Sequence, residues 1–149
     1  METVQIKIVN ESNNDLPEYG HYASAGMDLR AWTQEPVTIN PGERMLIHTG
    51  LHIDLPEGLE AHIRPRSGMA LKYGITVLNS PGTIDPSYHG EIGVILINLG
   101  HEPFKIENGD RIAQMVITSF RQVDWEPVTS TDFFVSEDRG GGFGHTGNK

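Results

Sequence analysis

The amino-acid sequence predicts an all-β fold, a sandwich or barrel of many short strands, and three observations carry that expectation. Short segments alternate apolar and polar residues, turn signals fall between them, and no stretch of helical length holds a clean 3.6-residue apolar period. Seventeen glycines and nine prolines supply the punctuation. In chain order, Val4, Ile6 and Ile8 alternate with Gln5 and Lys7 as a first strand. Met45 to Leu55 is expected as a strand pair or one bent strand. Leu59, Ala61 and Ile63 alternate with Glu60, His62 and Arg64. Ser67 to Tyr73 is the one segment expected to be helical, with Ser67 placed to cap it. Ile75 to Leu78 and Ile92 to Ile97 are expected as strands joined by a long Gly- and Pro-shaped turn, and Ile112 to Phe120 as another strand. Turns are expected at Asn40-Pro-Gly42, Leu55-Pro-Glu-Gly58, Leu99-Gly100 and Glu107-Asn-Gly109.

A chain of 149 residues is one domain, large enough to bury a core without staples. Residues 1–135 are expected to form it, and residues 136–149 a flexible, Gly-rich tail, since consecutive glycines are costly to order. The absence of cysteine excludes a disulfide framework, a thiolate zinc site and a cysteine nucleophile, and suits a cytoplasmic protein. No secretion signal is expected, and no apolar run approaches membrane-spanning length. A net charge of -9 argues against broad contact with nucleic acid, whose affinity rests on neutralising many phosphates. It leaves room for a small anionic ligand where a few arginines converge.

The segment Asn79-Ser-Pro-Gly82-Thr-Ile-Asp85-Pro-Ser-Tyr88-His-Gly90-Glu91 concentrates the chemistry. Asp85 is either a general base, as an ionised carboxylate can take a proton from water, or an Asx-turn residue. Tyr88 either stacks on a sugar or base or shields the hairpin edge. Arg64-Pro-Arg66-Ser67-Gly68 forms either a phosphate-binding corner or a turn with surface ion pairs. Ala25-Gly-Met-Asp28-Leu29 sets one acid among apolar neighbours, which suggests a buried, hydrogen-bonded carboxylate. Gly109-Asp-Arg-Ile-Ala-Gln114 combines a turn, charges and a strand entry. In the tail, Arg139 and its glycines can wrap a polyphosphate, and a lone Phe143 gains nothing unless it lands on a partner. His48 and His52, four residues apart in strand-like sequence, would lie roughly 13 Å apart, too far to share one ion.

In this order the five segments at Ala25–Leu29, Pro65–Gly68, Gly82–Gly90, Gly109–Gln114 and Arg139–Gly147 resemble the ordered motifs of the trimeric deoxyuridine triphosphatases (dUTPases). The likeness spans residues 25–147. It implies a β jelly-roll of the β-clip type, a homotrimer whose active sites are shared between chains, and hydrolysis of dUTP to dUMP and pyrophosphate. Such a reaction supplies dUMP for thymidylate synthesis and keeps uracil out of DNA.

The resemblance also implies roles. Asn79, Gly82, Thr83, Ile84 and Gly93 would read uracil, and Tyr88 would pack on the deoxyribose and exclude a 2′-hydroxyl. Arg66, Ser67, Gly68 and Gln114 would hold the phosphates, bridged by Mg²⁺ with no direct protein ligand, and Asp28 would reach the ion through water. Asp85 would align the water that attacks the α-phosphorus. Arg139 would clamp phosphate while Phe143 and Gly144 close over the base. The interval from Arg139 to Phe143 is one residue shorter than is usual in the family, and His145 stands where relatives often carry serine. The rival resemblance, to dCTP deaminase, needs a glutamate in the strand after the hairpin, and Ile92–Ile97 contains none. A non-catalytic dUTP-binding sensor is the rival of another class. No nucleic-acid or membrane partner is expected.

Overall fold

The computed structural model describes residues 3–138 and 140. It is all-β with one short helix, and the strands fall into a four-stranded, a three-stranded and two two-stranded sheets. The four-stranded sheet joins β2 (Met27–Arg30), β11 (Arg111–Ser119), β6 (Leu59–Arg64) and β8 (Gly82–Ile84) in that order. The three-stranded sheet runs β4 (Arg44–Ile47), β9 (Val94–Asn98), β7 (Ile75–Val77). The remaining pairs are β1 (Lys7–Asn10) with β5 (Leu51–Asp54), and β3 (Val37–Ile39) with β10 (Phe104–Ile106). Alternation decides which face goes inward: Leu51 and Ile53 of β5, and Val94 and Leu96 of β9, are buried while the residues between them are not. Leu29, Ile39, Ile75 and Ile106 join them, so every sheet contributes to one core.

The segment expected at Met45–Leu55 is two strands in different sheets, with β4 on β9 and β5 on β1. Gly50 makes the break. Its φ of +69° suits glycine, and a Cβ there would stand 2.8 Å from the Ser12 backbone nitrogen and 2.9 Å from Trp32. The first strand begins at Lys7 rather than Val4, because its partner β5 ends at Asp54, opposite Lys7.

Strands β7 and β9 pair antiparallel as a hairpin would, with Ile75 opposite Asn98. Their connection is more than a turn, because within it β8 crosses to the other sheet and pairs with β6, Gly82 opposite Ile63 and Ile84 opposite Ala61. The helix α1 (Ser67–Tyr73) has its expected bounds but not its expected cap. Arg66 holds the N-cap position with extended backbone, Ser67 is already helical, and no side chain caps the turn. A hydroxyl one place inside the helix misses the geometry that reaches back to the free N–H groups. Gly74 ends the helix in the left-handed conformation, its N–H donating to Ala70 O.

Beyond Ser119 the chain leaves the sheets. Only a 3-10 turn at Thr131–Phe133 interrupts residues 121–138, where Trp125, Phe133, Phe134 and Val135 are exposed. Among the described residues no helix is long and apolar enough to cross a membrane.

Candidate active site

The four-stranded sheet sets three of the sequence motifs side by side. On β11, Gln114 lies opposite Asp28 of β2 on one side and Arg64 of β6 on the other. The chain then turns at Pro65 into α1, which returns Arg66 toward Asp28. Arg66 donates from Nε to Asp28 Oδ1 at 2.9 Å and from Nη1 to the Arg111 carbonyl at 3.2 Å. Arg111 donates from Nη1 to Asp28 Oδ2 at 3.3 Å. One carboxylate thus orients two guanidinium groups, leaving a net positive corner with further N–H groups for an anion. Asp28 is less enclosed than the sequence suggested, its side chain 33% exposed, because it stands at the mouth of the corner rather than beneath it. Gln114 donates from Nε2 to the Pro65 carbonyl at 3.0 Å, which ties β11 to the segment entering the helix. Gly26 gives Gln114 its room, as a Cβ there would collide with Gln114 Oε1. Ser67 and Gly68 are exposed in the first turn of α1.

The second cluster lies on the connection between β7 and β9. Gly82 is buried, and a Cβ on it would meet Ile63 at 3.3 Å and the Asn79 amide nitrogen at 3.4 Å, so Asn79 lies against β8. Thr83 is exposed and Ile84 half-buried on the same strand. Asp85 follows β8 directly, exposed, and its carbonyl accepts from the Tyr88 N–H at 3.0 Å, closing the turn. The Tyr88 ring lies over Gly90, where an added Cβ would be 2.6 Å from the phenol, and its hydroxyl donates to the Glu91 carbonyl at 2.8 Å. Gly93 leaves space for Leu46, whose Cδ1 would stand 2.6 Å from a Cβ there.

Sequence reasoning missed Glu91 as an anchor. Its Oε1 accepts from Gly50 N–H at 2.8 Å and Thr49 N–H at 3.1 Å, and its Oε2 pairs with His48 Nδ1 at 2.8 Å. Burial pushes this carboxyl up, but the Gly50 N–H, the His48 ring and the Thr49 N–H outweigh it and hold it below its ordinary value. The available signal was an acid between Gly90 and the apolar run that starts at Ile92. Arg111 was missed too, although it lies inside a quoted motif. Nearby, His52 Nδ1 meets the His89 carbonyl at 3.0 Å, which holds the ring's pKa above its ordinary value.

Strand register keeps the two clusters apart within one chain. Gln114 is opposite Arg64, whereas Ile84, next to Asp85, is opposite Ala61. At ~3.3 Å per residue the Asp85 turn lies roughly 10–13 Å further along β6 than the Gln114 row. The structure therefore gathers Asp28, Arg66 and Gln114 in one place and Asn79, Gly82, Thr83, Ile84, Asp85 and Tyr88 in another, without joining them in one chain. The tail positions Arg139, Phe143 and Gly144 lie outside the described residues.

Comparison with known proteins places these clusters in context. A family model described as dUTPase matches residues 4–147. A deoxyuridine 5′-triphosphate nucleotidohydrolase of Rickettsia felis is 55% identical over 145 residues, covering 97% of this chain and 96% of that one. One from Finegoldia magna is 48% identical over 144 residues, covering 97% of this chain and 99% of that one. Among solved structures, a Staphylococcus bacteriophage 80alpha dUTPase with dUpNHpp superposes with a TM-score of 0.82 at 28% identity, over 97% of this chain and 99% of that chain.

Proposed function

The chain belongs to the dUTPase family and hydrolyses dUTP to dUMP and pyrophosphate, and we propose that Asp85 directs the water that attacks the α-phosphorus. The observation that carries this role is position: Asp85 is exposed at the end of β8, the strand whose backbone the family resemblance implies would read uracil. A base read by β8 would set its α-phosphate beside the Asp85 turn, with the outer phosphates extending beyond it. Asp85 would take a proton from water as the new P–O bond forms and pyrophosphate departs in line. Phosphoryl transfer asks a protein mainly for positioning and charge stabilisation, and Arg66 with its Asp28 and Arg111 partners has the chemistry for both. Ser67, Gly68 and Gln114 are proposed to hold the same phosphates, and Tyr88 to cover the deoxyribose.

A homotrimer is the proposed assembly. Two features favour it: the separation of the two clusters within a chain, which a neighbouring subunit would close, and the apolar side chains exposed along residues 121–138. Magnesium is proposed to arrive on the phosphates. Both Asp28 oxygens already accept from guanidinium groups, so this carboxylate suits contact through water rather than direct ligation. Bound there, the ion would neutralise charge on the phosphate oxygens. The tail of residues 136–149 is proposed to bring Arg139 and Phe143 over the nucleotide. A cytoplasmic setting fits the absence of cysteine.

The test is a substrate panel. Purified protein with Mg²⁺ should release pyrophosphate from dUTP and not from dCTP, UTP or dTTP. Ammonia from dCTP would indicate a deaminase, and tight dUTP binding without product a sensor.

A further inference from the structure

The loop that bears Asp85 and Tyr88 is fastened to the β4–β5 corner at its far end, and the Glu91 carboxylate is one of the fasteners. The corner is rigid for local reasons. Gly50 has no space for a side chain, and its carbonyl accepts from Glu11 N–H at 2.8 Å. Thr49 is buried, its hydroxyl donating to the Ile92 carbonyl at 2.6 Å and accepting from Leu51 N–H at 3.2 Å. The successive N–H groups of Thr49 and Gly50 both point at one Glu91 oxygen, an arrangement that suits an anion. Both oxygens of the Glu91 carboxylate are therefore held, Oε1 by this corner and Oε2 by His48 Nδ1, and the residue's own carbonyl is what receives the Tyr88 phenol.

We propose that Glu91 is a positioning residue that sets the angle of the Tyr88 ring, and through it the preference for a deoxyribose over a ribose nucleotide. The inference rests on the dUTP reading and on Tyr88 covering the sugar. A ring that excludes one hydroxyl must be held in place, because a small rotation would open the space that a 2′-oxygen needs. Only two links separate the rigid corner from the phenol: corner N–H groups to the Glu91 carboxylate, and the Glu91 carbonyl to the Tyr88 hydroxyl.

Steady-state kinetics with dUTP and UTP on wild type, Glu91→Ala and Glu91→Gln test this. In Glu91→Ala the dUTP-to-UTP ratio of kcat/KM should fall about tenfold, with KM for dUTP rising more than kcat falls. In Glu91→Gln the amide oxygen still accepts from Thr49 and Gly50, so the ratio should stay within about threefold of wild type. Equal losses on both substrates in Glu91→Ala, with the ratio unchanged, would overturn the proposal by making Glu91 merely structural. If Glu91→Ala does not fold, Tyr88→Phe keeps the ring and removes the second link. It should lower the ratio in the same direction, and an unchanged ratio would overturn the proposal. A wild-type protein indifferent between dUTP and UTP would instead defeat the underlying functional reading.

Discussion

Arg66 Nε lies 2.9 Å from Asp28 Oδ1, although 38 positions separate the two residues, so a motif near the N-terminus aims the guanidinium of a motif at the helix start. Arg111 closes the group from β11. The arginine is thus oriented before any nucleotide arrives, which lowers the entropy that binding would otherwise cost.

That arrangement predicts the behaviour of Asp28→Asn. The shape is kept but the charge that holds two guanidinium groups is lost. With Asp28 about one third exposed, solvent screens part of the effect. A loss of about tenfold in kcat/KM for dUTP is expected, chiefly through KM, in steady-state assays.

Asp85→Asn should behave differently. The amide cannot take the water's proton, so turnover should be abolished while dUTP affinity stays within about tenfold of wild type. Isothermal titration with a non-hydrolysable analogue beside a turnover assay separates the two quantities. Near-normal turnover would remove Asp85 from the mechanism.

Deleting residues 139–149 takes away Arg139 and Phe143 and leaves in place every strand found among the described residues. The truncated protein should keep its thermal transition and far-ultraviolet spectrum yet turn over dUTP far more slowly. Loss of folding on truncation would show the tail to be structural.

The pH response should have two limbs. The Glu91 carboxyl is held below its ordinary 4.5, so its stabilising contacts are fully present above that value and vanish as pH falls through its lower folded value. The His52 ring is held above its ordinary 6.5 by the His89 carbonyl, against desolvation and with help from Glu11. Its contribution is fully present below 6.5 and disappears as pH climbs through the higher folded value. Urea denaturation across pH, compared with His52→Gln and Glu91→Gln, should flatten the alkaline and acid limbs respectively.

Asn98 gives a stability prediction unrelated to the site. It is fully buried, donating from Nδ2 to the Ile39 and Glu102 carbonyls at 2.8 Å each and accepting from Gly100 N–H at 2.9 Å. Asn98→Ala leaves these groups without partners and should cost on the order of 3 kcal/mol in urea unfolding.

Strand β11 was readable because its nine residues sustain a pattern, and the expected Ile112–Phe120 differs by one residue at each end. Strands β3 and β10 were not, since each has three residues with a single polar one between two apolar ones, whereas the equally short β7 lies in the apolar run Ile75–Leu78. The break at Gly50 was hidden because only Ser12 and Trp32, distant in sequence, reveal why no side chain fits. Asp28, Arg66, Gln114 and Asp85 were visible through the order of their motifs. Glu91 was not, because its meaning depends on backbone N–H groups more than 40 positions away, and backbone donors leave no mark in a sequence.

Strand β8 carries a wider consequence. The segment proposed to read the nucleobase is itself a rung of the sheet, with Gly82 and Ile84 locked opposite Ile63 and Ala61. Slipping it by one place would exchange inner and outer faces along its length. Mutational drift therefore has little freedom to retune the base at that strand: a lineage acquiring a new substrate would have to rebuild its scaffold there or innovate in the parts that lie outside it.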